Sequence, residues 1–205
     1  MHPEALAKKN KEIFPQLNKF NDFYLAGGTA LALQIGHRVS IDFDFFSENE
    51  ISKNLLSKVK RVFSGTKVKV SVNNPDELTV FIDEAKITFL KYPFLVIFDL
   101  IDYQGIKLLS PKEIAAAKAY TIGRRGSYKD YIDLYFIISE KHSDLNEIIE
   151  IAEKKYQDEF NSRLFLEQLV YLEDIKANGI DFLRDKIDKK ILKEFFEKEI
   201  KKIEL

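Results

Sequence analysis

The N-terminal half of the chain alternates between helical and extended hydrophobic patterns. Apolar residues at roughly helical spacing over 3–19 predict a helix that is kinked or restarted at Pro15. A short apolar strand over 23–26 then runs into a glycine pair. The pattern after the glycines predicts a helix over 29–35 that ends at Gly36, a strand over 40–46, and a helix that Ser47 caps and that extends to about residue 63.

Extended patterns dominate the next segment. Strands are predicted over 67–72, 78–82 and 86–91, separated by an Asn-Asn-Pro turn at 73–75 and a tight Asp-Glu turn at 83–84. Weaker strand patterns follow over 94–101 and 106–109. The apolar side chains of the first of these, Phe94, Leu95, Val96, Ile97 and Phe98, are predicted to lie in the core.

The pattern becomes helical at Ser110-Pro111. Ser110 is a predicted cap, Pro111 suits the first helical position, and Glu113 completes a capping box. The final helix should place Ile187, Ile191, Leu192, Phe195 and Phe196 near one face. Helices are predicted near 111–123, 127–140, 143–158, 161–176 and 180–203. The fold class is therefore α+β, with a mixed sheet flanked by helices and a helical C-terminal half.

Composition narrows the class of protein without identifying it. Hydrophobic residues make up 45% and charged residues 32% of the 205 residues, as in ordinary globular proteins. The formal net charge of −1 gives no global basic excess for a nucleic-acid partner. The absence of cysteine excludes disulfides and thiolate chemistry. No signal peptide or membrane span is evident, so a cytoplasmic protein without a membrane partner is expected.

Candidate chemistry begins at Gly27 and Gly28, which follow a predicted strand. Glycine has no β-carbon to obstruct a ligand, and the helix that Thr29 opens begins with amides that lack intrahelical partners. Free amides, a favourable dipole and a hydroxyl together suit an anion such as a triphosphate.

Two carboxylates follow on the next strand. Alternation directs Ile41, Phe43 and Phe45 to one face of the strand and Asp42 and Asp44 to the other. Side chains two positions apart lie roughly 6.5–7 Å apart along a strand, so the two carboxylates can converge on a divalent metal. Mg²⁺ accepts a few carboxylates together with phosphate oxygens. The segment 24–46 thus favours metal-dependent chemistry on a nucleotide. Taken alone, the two aspartates could simply lie on an exposed strand face, and the two glycines could simply form a turn.

Two segments carry a resemblance to a known family. LAGGTALALQIGHRVSIDFDFFS, together with SPKEIAAAKAYTIGRRGSYKDYIDLYFI at 110–137, resembles the AbiEii/AbiGii toxins of bacterial abortive-infection, type IV toxin–antitoxin systems. These toxins are similar to DNA polymerase β-type nucleotidyltransferases. The resemblance implies a nucleotidyltransferase core over 1–109 and a helical region over 110–205 that completes the active-site cleft.

The resemblance also implies roles for individual residues. Gly27, Gly28 and Thr29 would hold nucleotide phosphates, and Asp42 and Asp44 would bind Mg²⁺ or Mn²⁺. Lys118 and Asp130 would match catalytic positions of the second segment, with Asp133 beside them. Lys118 and Arg125 lie seven apart on one helical face and could both neutralise phosphate. His37, Arg38 and Lys129 are further nucleotide-binding candidates, although Lys129 could instead pair with Asp133 on a helix.

The sequence departs from the polymerase-β pattern at one position. These enzymes usually carry a third carboxylate on a later strand, and the position predicted to match it is Thr88. A threonine cannot replace a carboxylate ligand. Asp130 or Asp133 could supply the third charge, two carboxylates could suffice, or activity could be weak. Asp83 and Asp99 remain other donors.

The sequence therefore predicts transfer of a nucleoside monophosphate from an NTP, with GTP slightly favoured by the resemblance, to an acceptor hydroxyl. The resemblance suggests RNA, tRNA in particular, or a protein as acceptor, and an antitoxin encoded nearby. One alternative is a degenerate nucleotide-binding protein without activity, which Thr88 favours. Another is an enzyme that modifies small molecules such as aminoglycosides. An RNA modifier should show a basic surface near Lys112, Lys118, Arg124, Arg125 and Lys129.

Overall fold

A computed structural model describes residues 1–177 and 179–203. The chain forms two compact units, Met1–Ser110 and Pro111–Leu205. The first unit is mixed α/β and the second is helical. Together they confirm the predicted α+β fold class. No helix in the described part of the chain is long and apolar enough to cross a bilayer.

The first unit opens with short helical segments and a strand that leads directly into a helix. A 3₁₀ turn, Pro3–Ala5, precedes α1, and a second 3₁₀ segment follows α1 with Pro15 in its first turn, which matches the predicted restart. The next elements are β1, α2 and β2. Their bounds are α1 Lys8–Ile13, 3₁₀ Phe14–Lys19, β1 Tyr24–Ala26, α2 Gly27–Ile35 and β2 Asp42–Ser47.

The rest of the unit supplies α3 and five strands. All the described strands join one mixed sheet in the order β3-β4-β5-β2-β1-β7-β6. β2 lies antiparallel to β1 and parallel to β5, which places it in the middle of the sheet. The bounds are α3 Leu55–Val62, β3 Val68–Asn73, β4 Glu77–Ile82, β5 Ala85–Lys91, β6 Ile101–Tyr103 and β7 Ile106–Leu108.

One face of this sheet carries the apolar core of the first unit. Phe43 and Phe45 of β2 are fully buried, as is Phe89 of β5. The ring centroids of Phe45 and Phe89 lie 5.5 Å apart, and Phe20 lies 5.0 Å from Phe89. Since this face excludes water, the intervening residues of β2 must point to the opposite face.

Three predictions for the first unit are wrong. Residues 94–98 form no strand and are not core: Leu95 is 69% exposed and Phe98 37%. Pro93 lacks an amide donor, and β5, which ends two residues earlier, already has a neighbour on each side.

Ser47 ends β2 and accepts the Asn49 amide in a turn, so it does not cap α3. Ile41 precedes β2 and is exposed rather than part of the core row.

The second unit is built from five helices in its described residues. α4 begins at Pro111 as predicted, and α5 follows after Gly126 and Ser127. The bounds are α4 Pro111–Arg125, α5 Tyr128–Ser139, α6 Leu145–Tyr156, 3₁₀ Gln157–Glu159, α7 Ser162–Val170 and α8 Lys189–Ile200.

Two helices of this unit are shorter than predicted. α7 ends at Val170 rather than residue 176, and α8 begins at Lys189 rather than residue 180. Asp188 accepts the Ile191 amide at 2.9 Å and so fixes the start of α8. Leu192 and Phe196 are fully buried, whereas Ile191 is 39% exposed, so only part of the predicted apolar face reaches the core.

Candidate active site

The acidic strand has the alternation that the sequence predicts. Phe43 and Phe45 are fully buried, whereas Asp42 and Asp44 are only partly covered. Because a one-residue slip would place both phenylalanines in solvent, core packing fixes which face the carboxylates occupy. Asp42 and Asp44 therefore lie on the same face of β2.

The Gly-Gly turn lies directly beside this strand. Ala26, the last residue of β1, pairs with Asp44 across the antiparallel ladder, so the chain turns at Gly27 next to that carboxylate. A β-carbon on Gly27 would lie only 3.1 Å from Asp44 Oδ2, and Gly27 has a φ of 63°. Glycine is thus required here both by backbone conformation and by the close approach of a carboxylate.

A substitution at Gly27 tests this close approach. We expect Gly27→Ala to lower nucleotidyl transfer by at least roughly tenfold, because the methyl group displaces Asp44 in addition to straining the backbone. Gly65→Ala is the matched control, since Gly65 also has a positive φ, of 87°, but has no atom within 4 Å of an added β-carbon. Equal activities of the two variants, measured by labelled-nucleotide transfer, would contradict the proposed role of this contact.

Thr29 connects helix α2 to the acidic strand. Its side chain is buried, and its hydroxyl donates to the backbone carbonyl of Asp42 while lying 2.7 Å from the Ser40 hydroxyl. The hydroxyl therefore holds the start of β2 against α2. Because the Thr29 hydroxyl is engaged in this way, the predicted phosphate contacts are left to the first backbone amides of α2. These amides have no acceptor within the helix.

His37 and Arg38 lie between α2 and β2 and are buried, at 0% and 2% exposure. Arg38 Nη1 donates to the Val39 carbonyl oxygen at 3.2 Å. A nucleotide could reach these side chains only through a pocket that penetrates the protein. Their predicted contact with the nucleotide stays a prediction.

Thr88 occupies the position that the sequence predicts for it. It pairs with Asp44 across the parallel β2–β5 ladder and is 9% exposed. Its Oγ1 lies 3.3 Å from Oγ1 of Thr79 on β4. Within the described residues, no group of three or more His, Cys, Asp or Glu side chains is arranged to hold a metal. The acidic pair is thus flanked by hydroxyls rather than by a third carboxylate.

The helical unit contains a cluster of ionised groups. Lys118 Nζ of α4 lies 2.6 Å from Asp130 Oδ1 and 2.9 Å from Asp133 Oδ2, both on α5. The Asp133 side chain is completely buried, and the other two are 11–12% exposed. The cluster joins two helices through a cation that lies between two carboxylates.

Asp130 also caps its own helix. Its Oδ2 accepts hydrogen bonds from the Ser127 amide at 2.9 Å and the Ser127 hydroxyl at 2.8 Å, and the bond from the amide is one half of a capping box with Ser127. Both carboxylate oxygens are thereby engaged. The predicted catalytic roles of Lys118 and Asp130 stay predictions that depend on the family resemblance.

Other charged residues of this unit differ from expectation. The Asp133 partner is Lys118 and not Lys129, which forms no salt bridge within the described residues. Arg125 is exposed, whereas Lys118 is largely buried, so the two do not present one open cationic face.

The predicted basic surface of this unit is mostly paired with acidic groups. Lys112 pairs with Glu147, and Arg124 lies over Tyr120 and near Glu159. Most of the predicted basic surface is therefore neutralised by partners.

A buried tyrosine borders the ionised cluster. Burial, with a smaller contribution from the charge of Asp130, raises the pKa of Tyr131 to about 12. Its hydroxyl donates to the Gln168 carbonyl oxygen at 3.1 Å. The phenol is therefore neutral throughout the physiological range and serves as a donor between α5 and α7.

Solved structures place the fold in a known class. A Helicobacter pylori protein assigned as a nucleotidyltransferase aligns over 97% of this chain and 99% of its own, with a TM-score of 0.59 at 17% identity. The H. pylori protein JHP933 covers 96% and 97%, with a TM-score of 0.54 at 16% identity. The antibiotic-resistance factor ANT(2'')-Ia covers 70% and 86%, with a TM-score of 0.52 at 9% identity. The chain has a nucleotidyltransferase fold.

Sequence comparison gives the family. Residues 11–205 match the family described as nucleotidyl transferase AbiEii toxin of type IV TA systems. An uncharacterized protein of Aquifex aeolicus is 34% identical over 183 residues, which cover 88% of this chain and 87% of that protein. The chain belongs to the AbiEii nucleotidyltransferase toxin family, which confirms the resemblance seen in its motifs.

Proposed function

We propose that this protein is a metal-dependent nucleotidyltransferase that moves a nucleoside monophosphate from an NTP to an acceptor hydroxyl. The observation that carries the proposal is the position of Asp44, beside Gly27 at the head of α2 and on the same strand face as Asp42. A helix N-terminus suited to phosphate thus adjoins two carboxylates suited to a hard cation.

The donor set fits Mg²⁺ or Mn²⁺. Asp42 and Asp44 would provide two carboxylates, and Mg²⁺ is commonly bound by one or two carboxylates together with substrate phosphates and water. When bound, such a cation would offset negative charge on the triphosphate. Thr88 lies opposite Asp44 where a third carboxylate ligand would be expected, and the two carboxylates of β2 suit one metal more readily than two.

The reaction requires one bond to form and one to break. The acceptor oxygen attacks the α-phosphorus, the bond from the α-phosphorus to the bridging oxygen breaks, and pyrophosphate leaves. Asp44 or Asp130 is the candidate to accept the acceptor proton, and the first amides of α2 would hold the phosphates. We favour GTP as the donor nucleotide on the family resemblance alone.

The biological role follows from the family rather than from the geometry. Membership of a type IV toxin family supports a toxin with a cognate antitoxin. We propose RNA, particularly tRNA, or a protein as the acceptor. The shared fold of ANT(2'')-Ia supports a small-molecule acceptor as the alternative, and Thr88 supports a nucleotide-binding protein without activity.

Incubation with each α-³²P-labelled NTP and Mg²⁺ tests the proposal. The protein should label a band in total cellular RNA or in lysate, and EDTA should abolish the labelling. Nucleotide binding by calorimetry without any labelled product would support the inactive alternative. Labelling of aminoglycosides in place of macromolecules would support the small-molecule alternative.

A further inference from the structure

A row of three side chains extends from the acidic strand across the outer part of the sheet. Asp42 pairs with Lys86 on β5, Lys86 pairs with Phe81 on β4, and Phe81 pairs with Lys69 on β3. Residues paired across adjacent strands share a face of the sheet. We propose that Lys86, Phe81 and Lys69, here called the Lys-Phe-Lys row, bind a single-stranded nucleic-acid acceptor. This inference rests on the proposed function.

The opposite face at the same place is core, which fixes the direction of the row. Ile87, Val80 and Ile82, the neighbours of the row along β4 and β5, are at most 1% exposed. By alternation, the row therefore points away from the core, to the side of the sheet that holds Asp42. Lys69 is exposed, and Lys86 and Phe81 are partly exposed.

Salt bridges distinguish the two lysines of the row from other lysines of the first unit. Within residues 1–177 and 179–203, neither Lys69 nor Lys86 forms a salt bridge, whereas nearby Lys9 pairs with Glu84 and Lys91 with Glu50 and Asp76. Lysines on an edge strand can serve merely to prevent edge-to-edge aggregation. That explanation suits Lys69 on β3 but not Lys86, because β5 lies inside the sheet.

Phe81 is a partly exposed aromatic ring on the face of the sheet that also carries Asp42 and Asp44. It forms no ring–ring contact within the described residues, unlike Phe89 of the same sheet, which contacts Phe20, Phe23 and Phe45. The Phe81 ring therefore does not take part in the aromatic packing of the core. Aromatic side chains between cations are the groups that bind single strands, since bases stack on the ring and phosphates contact the lysines.

The dimensions of the row suit a short single-stranded end. Adjacent strands lie about 4.8 Å apart, so three steps from β2 to β3 span about 14 Å. A strand laid along the row would bring its terminal hydroxyl to Asp42. A duplex would not fit this mode, because its bases are already stacked and paired. The row therefore favours a single-stranded acceptor end over a globular protein or a small molecule.

Direct binding of RNA tests the row without requiring catalysis. A fluorescein-labelled single-stranded oligoribonucleotide of mixed sequence is titrated with the full chain and followed by anisotropy. Lys69→Gln/Lys86→Gln should weaken binding by about tenfold or more and reduce the log–log salt slope by about 1.4, from 0.7 for each lost phosphate contact. Phe81→Leu, which keeps an apolar side chain, should weaken binding several-fold.

The matched control is Lys53→Gln/Lys60→Gln, which removes two exposed lysines outside the row. It should bind the oligoribonucleotide as the unmodified protein does. Equal weakening by both lysine pairs, or binding that no row variant changes, would overturn the proposal. A duplex competitor as effective as the single strand would also overturn it.

Failure of this inference can be told apart from failure of the proposed function. Binding of a fluorescent GTP analogue and labelled-nucleotide transfer are measured on the same variants. If the row variants weaken RNA binding but the protein transfers no nucleotide, the Lys-Phe-Lys row is supported as an RNA-binding site and the proposed catalytic function is rejected. Transfer to RNA by row variants at the unmodified rate and affinity removes the row and leaves the catalytic proposal standing.

Discussion

Replacing Asp42 and Asp44 together with asparagine is expected to abolish nucleotidyl transfer, by a factor of about a thousand or more. Asparagine keeps the size and polarity of each side chain but removes the two charges that would hold a divalent cation. Loss of metal-based charge stabilisation adds several kcal/mol to the activation barrier, and ~4 kcal/mol corresponds to about a thousandfold lower rate. The measurement is α-³²P-NTP transfer at saturating Mg²⁺.

The fold of this variant should remain intact. Two carboxylates on one strand face repel each other when no cation is present, so neutralising them should not lower the melting temperature. Mg²⁺ with NTP should raise the melting temperature of the unmodified protein but not of the variant. Asp22→Asn, just before β1, is the matched control, because it makes the same kind of change at a carboxylate that is 77% exposed and is not a candidate metal ligand. Full activity of the Asp42/Asp44 variant would exclude the metal assignment.

The sheet was the most predictable part of the fold. Strands β3, β4 and β5 begin and end within about one residue of their predicted bounds, because alternation and turn residues act over short distances. Asn74 Oδ1 accepts the amides of Asp76 and Glu77, so the turn that the Asn-Asn-Pro segment predicts is stabilised by its own side chain.

The errors arise where the pattern is ambiguous. The apolar run at 94–98 reads equally as a strand or as a connection, and only the order of strands in the sheet decides. The start of α8 could have been found from Asp188, whose carboxylate caps the helix, but the amphipathic residues before it continue the helical period.

Some features of the candidate site could be predicted from local sequence signals, and others could not. The approach of Gly27 to Asp44 follows from a strand, a tight turn and an antiparallel neighbour, all of which have local signals. The burial of Thr29, His37 and Arg38 does not, because it depends on what covers them. The Lys118 cluster joins residues 12 and 15 positions apart on two helices, and only the family resemblance, not a local pattern, grouped these residues.

Replacing Lys118 with methionine is expected to destabilise the helical unit by about 3 kcal/mol. The substitution keeps most of the apolar stem but leaves Asp130 and Asp133 close together with no cation between them. Removing one partner of a buried ion pair costs roughly 3–5 kcal/mol, and the lower end applies because Lys118 and Asp130 keep slight exposure. Urea unfolding followed by circular dichroism measures the loss.

A control and a rescue separate this effect from a general loss of charge. Lys112→Met, on the same helix, breaks a pair with Glu147 in which the two side chains are 40% and 33% exposed, so it should cost at most about 1 kcal/mol. Lys118→Met/Asp133→Leu should recover part of the stability, because it also removes the buried carboxylate that loses its Lys118 contact in the single variant. Equal stabilities of the Lys118 and Lys112 single variants would show that the cluster does not hold α4 to α5. Lys118 would then be available for a role other than support of the fold.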